Sequence, residues 1–142
     1  MASQRILVLV KPDGVRRHLT GEVLHRIERK GYSLSNISWV QADEERLARH
    51  YAELVNRPFY PALVEYMMSG PMVAAIFTGD RVIEGVRSLA GSTDPTTAAP
   101  GTIRGDLGRA WSGESTMNIV HASDSPENAE KEIAIWFGEA EG

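Results

Sequence analysis

The chain has 142 residues, the length of one ordinary domain and enough to hide roughly 70% of its unfolded surface. Hydrophobic residues make up 42% and charged residues 24%, a globular mix, and the formal charge of −4 argues against a general nucleic-acid binder while leaving room for a local basic pocket that takes one small anion. There is no cysteine, which excludes disulfides, thiolate chemistry and cysteine metal sites, and no apolar run approaches the roughly 18 residues of a membrane span.

Ile6 to Val10 is a continuous run of β-branched and Leu residues and reads as a strand buried on both faces. The short apolar start runs directly into Lys11-Pro12-Asp13, unlike a signal peptide, so a cytoplasmic location is expected. Lys11-Pro12-Asp13-Gly14 reads as a turn that ends the strand. Thr20 to Lys30 has a helical stripe of Val23, Leu24 and Ile27, with Gly31 as its stop. Tyr32 to Val40 alternates and reads as a second strand. Asp43 caps one helix running to Val55, with Leu47, Tyr51 and Leu54 on its apolar side. Tyr60 to Ser69 is a shorter helix with Leu63, Val64 and Met67 inward, broken by Gly70-Pro71. Met72 to Phe77 is another apolar strand, and Asp80 to Ala90 a helix striped by Val82, Ile83, Val86 and Leu89.

Gly91 to Met117 is rich in Gly, Pro, Ser and Thr and reads as one long irregular stretch, a length that is usually functional or disordered. Asn118 to Ala122 is a short strand. Ser125 then caps a last helix, with Pro126 at its first position and an apolar stripe of Ala129, Ile133, Trp136 and Phe137. A short acidic tail runs from Gly138 to Gly142. The order predicts a single α+β domain of ferredoxin-like βαββαβ type, a four-stranded antiparallel sheet with helices packed on one face.

Two sets of residues could carry chemistry. Alternation puts Ile119, His121 and Ser123 on one strand face, just before a helix N-terminus that suits a phosphate. A lone histidine is commonly a hydrogen-bonded core residue. Glu132, however, falls at the edge of the last helix's apolar stripe, where a carboxylate needs a partner. A His121–Glu132 pair would fix the ring's tautomer and leave its other nitrogen as a nucleophile. Alternation alone places Asn118 on the opposite face, so it joins this site only if the strand begins after it. The second set is the cations Lys11, Arg87 and Arg104, each beside turn or loop residues. Arg forks and a Lys point charge suit phosphate oxygens. Neither a G-x-x-x-x-G-K-[ST] loop nor a G-x-G-x-x-G turn is present, so any nucleotide is bound without the usual glycine cradle.

These residues, in this order, resemble the nucleoside diphosphate kinase family over nearly the whole chain. The matching segments are Val10-Lys-Pro-Asp-Gly-Val15, Arg57-Pro-Phe-Tyr60, Met68-Ser-Gly-Pro71, Gly91-Ser-Thr-Asp-Pro95, Pro100-Gly-Thr-Ile-Arg-Gly-Asp106 and Asn118-x-x-His121-x-Ser123-Asp124-Ser125. The resemblance implies that His121 is a phosphohistidine. It would take the γ-phosphoryl of a nucleoside triphosphate and pass it, by a ping-pong route, to a nucleoside diphosphate of any base. It implies that Lys11, Phe59, Arg87, Thr93, Arg104 and Asn118 contact the nucleotide, with Phe59 under the base. It also implies that Tyr51 and Ser123 line the phosphoryl pocket and that Glu132 orients the histidine. Mg²⁺ held mainly by the nucleotide phosphates, and a homo-oligomer, belong to the same expectation. The sequence departs from the family between Arg104 and Asn118, where it is a few residues longer and Leu107 to Met117 leaves the pattern. That departure motivates a second reading, a non-catalytic nucleotide-binding regulatory module on the same fold. Sequence-specific DNA binding is disfavoured by the acidic charge, and no nucleic-acid or membrane partner is expected.

Overall fold

The computed structural model of the chain describes residues 3–109 and 117–138. Strand β1 (Gln4–Val10) runs through the middle of a four-stranded sheet ordered β2-β3-β1-β4. It is antiparallel to β3 (Met72–Gly79) on one side and to β4 (Val120–Ala122) on the other. Strand β2 (Ser33–Val40) pairs antiparallel with β3 and forms an outer edge. This is the expected four-stranded antiparallel α+β architecture.

The helices cover both faces of the sheet, whereas the sequence had suggested one. The cause lies in the two central strands, which are apolar at every core position and so present two greasy faces. Ile6, Val8, Val10, Val73, Ala75 and Phe77 face one cluster with the residues of α2 (Thr20–Lys30) and α5 (Val82–Ala90). Leu7, Leu9, Met72, Ala74 and Ile76 face the other, with α3 (Glu44–His50), α4 (Tyr60–Met67) and α7 (Pro126–Phe137). Each large aliphatic side chain buried in this way contributes about 1.5–3 kcal/mol, so both faces are strongly specified.

Four local expectations change. Lys11-Pro12-Asp13-Gly14 is not a plain turn: Lys11 is the N-cap of a short helix α1 (Pro12–Arg16), because proline at the first helical position pre-sets the backbone. The helix expected from Asp43 to Val55 divides at Tyr51 into α3 and a 3-10 turn at Ala52–Leu54. Asp43 still caps it, accepting from the Arg46 N–H at 2.8 Å. Within the stretch expected to be irregular lies α6 (Ile103–Leu107), capped by the Thr102 hydroxyl, which accepts from the Gly105 N–H at 2.9 Å, and anchored by the fully buried Ile103. Strand β4 begins at Val120 and not at Asn118, because Ile119 has φ 76°. Most of the lengthened segment, residues 110–116, and the tail beyond Gly138 lie outside the described residues.

On β2 a bulge between Leu34 and Asn36 shifts the register. Beyond it, Ile37 and Trp39 lie opposite Ala75 and Val73 at the sheet's edge, 53% and 68% exposed.

Candidate active site

Strand β4 carries the candidate histidine. His121 lies opposite Leu9 of β1, with Val120 and Ala122 on either side buried in the core, so alternation sends the His121 ring to the α7 face. Its Nε2 lies 2.9 Å from Glu132 Oε1. The same oxygen accepts from the Ser123 hydroxyl at 2.7 Å, and the Ser123 Oγ in turn accepts from the Leu7 N–H at 3.0 Å. Burial opposes ionisation of Glu132, but the hydrogen bond and charge of His121 outweigh it and hold the carboxyl below its ordinary pKa. An ionised Glu132 accepts only, so Nε2 of His121 carries a proton, and in the neutral form of the ring the lone pair lies on Nδ1. Sequence alone had left open which nitrogen was free. Ser123 is fully buried behind Glu132, so it anchors the carboxylate and does not itself line an open pocket.

A residue that the sequence reading passed over completes this corner. His50, the last residue of α3, sets its ring against His121 with centroids 4.5 Å apart at 72°. Its Nδ1 accepts from the Trp136 indole N–H at 3.1 Å. Burial, with the nearby His121 adding to it, pushes the His50 pKa down to about 3, so the ring is neutral with its proton on Nε2. The signal was available: His50 follows Leu47 by three positions on the inward stripe of α3. Tyr51, next in the chain, packs its ring edge-on to His50 at 4.7 Å. Burial, with the charge of Glu132 adding to it, raises its phenol pKa well above the usual range. A cavity of about 240 Å³ opens here, lined in part by His50, Tyr51, Leu54, Asp124, Lys131 and Glu132.

The three expected cations are spread along β4 and the residues that lead into it. Arg104, on α6, donates to Gly91 O at 2.8 Å, Val120 O at 2.6 Å and Asn118 O at 3.3 Å. Arg87, on α5, donates to Ala122 O at 2.9 Å. Lys11, only 8% exposed, donates from Nζ to Asn118 Oδ1 at 2.9 Å. Burial and the charge of Arg104 lower the Lys11 pKa to about 8, and burial and the charge of Arg87 lower that of Arg104 to about 10. Cations held close enough to depress one another form a site that a polyanion relieves.

Asn118 joins this group. Its Nδ2 donates to Thr93 O at 2.9 Å, which ties the Gly91–Pro95 segment to Lys11, while the Thr93 side chain is exposed. The condition set by alternation is met, since the strand starts after Asn118. Phe59 borders a different cavity from that of His50 and Glu132. It is 45% exposed on the turn before α4, with the Arg57 guanidinium 5.9 Å above its ring, and it borders a cavity of about 390 Å³ with Arg16, Tyr66 and Met117. Every nucleobase has a π-face, so an exposed ring of this kind suits any of them.

One group of metal-ligand type occurs among the described residues, formed by His50, His121 and Glu132 with donor atoms within 4.8 Å of one another. Of their donor atoms, Nδ1 of His50 is engaged by Trp136, and Nε2 of His121 and Oε1 of Glu132 by each other. A hard cation such as Mg²⁺ prefers oxygen ligands and does not suit this set.

A family model described as nucleoside diphosphate kinase matches residues 4–142. A nucleoside diphosphate kinase of Streptomyces avermitilis is 54% identical over 136 residues, covering 95% of this chain and 96% of that protein. One from Streptococcus thermophilus is 52% identical over 136 residues, covering 96% and 99%. The solved structure of a halophilic nucleoside diphosphate kinase from Halobacterium salinarum in complex with CDP superposes with a TM-score of 0.91 at 40% identity, covering 99% of this chain and 91% of that one.

Proposed function

The chain belongs to the nucleoside diphosphate kinase family, and from that premise we propose that Nδ1 of His121 carries the phosphoryl group between nucleotides. The activity itself, transfer of the γ-phosphoryl of a nucleoside triphosphate to a nucleoside diphosphate, is that of the family. Nothing in the relatives or in the site favours a non-catalytic reading. The observation that carries the assignment is the single Glu132 oxygen that accepts from both His121 Nε2 and Ser123. It fixes the tautomer and leaves one nitrogen able to attack.

The chemistry follows. The Nδ1 lone pair forms a bond to the γ-phosphorus as the bridging P–O bond breaks, and the nucleoside diphosphate leaves with that electron pair. In the second half, a terminal phosphate oxygen of another diphosphate attacks the same phosphorus and the P–N bond breaks. The ring gains positive charge while phosphorylated, and Glu132 stabilises it through Nε2–H. Lys11, Arg87 and Arg104 hold the phosphates and offset the charge on the oxygens, since phosphoryl transfer is mainly positioning and electrostatics. Asn118 and Thr93 add polar contacts to the nucleotide, Phe59 stacks on its base, and Tyr51 borders the phosphoryl pocket.

Mg²⁺ belongs to this reading as an ion on the nucleotide's own phosphates, where it neutralises their charge. Homo-oligomerisation does too, supported by Ile37 and Trp39 exposed on the edge strand β2. So does a cytoplasmic location, where nucleoside triphosphates are abundant. The test is incubation with labelled ATP. An acid-labile, base-stable label must appear, discharge on adding GDP, and be missing in His121→Ala; a wild-type protein that takes up no such label sinks the assignment.

A further inference from the structure

The strand turn that delivers His121 is bent where it should not bend. Ile119 has φ 76°, a left-handed conformation that a β-branched residue rarely adopts. The Val120 N–H donates to Asn118 O at 2.8 Å, so Ile119 is the middle residue of a γ-turn of the rare, strained, positive-φ kind. Such a conformation persists only where the surroundings over-determine it. Here the surroundings are the first turn after β1. The Lys11 N–H donates to Ile119 O at 2.7 Å. The Ile119 N–H donates to Asp13 Oδ2 at 3.1 Å, and the other oxygen of Asp13 accepts from the Tyr66 hydroxyl of α4. Asp13 is 2% exposed. Gly14 lets this turn approach: a Cβ there would lie 2.9 Å from Val10 Cγ1 and 3.2 Å from Ile119 O.

The bend has one consequence for the site. In a regular strand Asn118 would face away from His121. With the bend, its amide reaches Lys11 Nζ and Thr93 O. We propose that Asp13 is a positioning residue, whose carboxyl holds Ile119 in the γ-turn and thereby aims Asn118 at Lys11 and Thr93. Asp13 touches no reacting atom; it acts through Asn118. This rests on the reading of Lys11, Thr93 and Asn118 as nucleotide contacts.

The experiment is a double-mutant cycle on the whole 142-residue chain, with kcat and KM for transfer from ATP to GDP. Asp13→Ala leaves the Ile119 N–H unpaired and should lower kcat/KM by about tenfold or more. Asn118→Ala should lower it comparably. The double variant should be no worse than the more impaired single one, because both changes remove the same alignment. Multiplicative losses overturn the proposal, since they show that Asp13 acts elsewhere. If Asn118→Ala leaves transfer untouched, the reading of Asn118 as a nucleotide contact fails, and this inference with it. Asp13→Asn is the conservative control. Its amide oxygen still accepts from the Ile119 N–H while its NH₂ donates to the Tyr66 oxygen, so transfer should stay within about threefold of wild type. Where Asp13→Ala does not fold, this variant decides alone: retained transfer supports the proposal, and a loss of about tenfold in the folded protein overturns it.

Discussion

The indole N–H of Trp136 donates to Nδ1 of His50 across 3.1 Å, and the His50 ring then stands edge-on to His121. One part-buried hydrogen bond thus fixes the tautomer of a second histidine beside His121. His50→Phe keeps a ring in that place but leaves the indole N–H unpaired, and should cost about 1–3 kcal/mol in denaturant unfolding. The sign of its pH dependence follows from its depressed pKa. Between the ordinary 6.5 and about 3, the unfolded chain binds a proton at His50 that the folded chain does not. Stability therefore falls as pH drops through that window, by up to about 1.4 kcal/mol per pH unit from this group. The acid limb of stability should be shallower in His50→Phe than in wild type; parallel limbs would show that His50 is not held neutral.

Glu132→Gln keeps an oxygen near His121 Nε2 but removes the charge that stabilises the ring once phosphorylated. Phosphoenzyme formation should slow by about 10²-fold, with nucleotide KM little changed. Single-turnover labelling separates the two, and a change confined to KM would assign Glu132 to binding.

Lys11 sets an alkaline limit. Its pKa of about 8 lies below the ordinary 10.5, so burying its charge costs stability at neutral pH, and that cost is relieved as pH rises past about 8. Nucleotide binding runs the other way, because a bound phosphate favours the charged amine. Above pH about 8 the affinity for nucleoside diphosphates should fall, and binding should take up a proton, read by calorimetry in buffers of different ionisation enthalpy. Lys11→Arg should lose that proton uptake, because a guanidinium stays charged throughout.

Arg104 does two jobs that a lysine cannot combine. Its fork joins Gly91 O, Asn118 O and Val120 O, and so ties α6 and the segment after α5 to the start of β4. Arg104→Lys keeps the charge and loses that bracing, so nucleotide Kd should rise by about tenfold or more. Equilibrium titration checks it; an unchanged Kd would mean that charge alone matters there.

Much of this was legible in the chain itself. The apolar runs of β1 and β3, the helical stripes of α2 and α5, and the Ser125-Pro126 start of α7 are local signals with a fixed period, and the fold follows them. His121, Ser123 and Glu132 could be grouped by counting positions, and the structure brings them onto one oxygen. The short helix α6 was missed because Thr102 and Ile103 sit among Gly, Pro and Thr residues that read as loop. The apolar runs of β1 and β3 call for cover on both faces, but they do not say which helix covers which side.

What the sequence by itself determined is the set of residue types, their order and the grouping of His121 with Ser123 and Glu132. Tertiary structure alone decided which nitrogen of His121 is free, that His50 stands beside it, and that Asn118 turns toward Lys11. Each of these depends on a partner distant in the chain: Glu132 for His121, Trp136 for His50, and Asp13 for the strained backbone of Ile119. Periodicity encodes which face a residue occupies. It does not encode a hydrogen bond across the fold, which exists only once packing has brought donor and acceptor together.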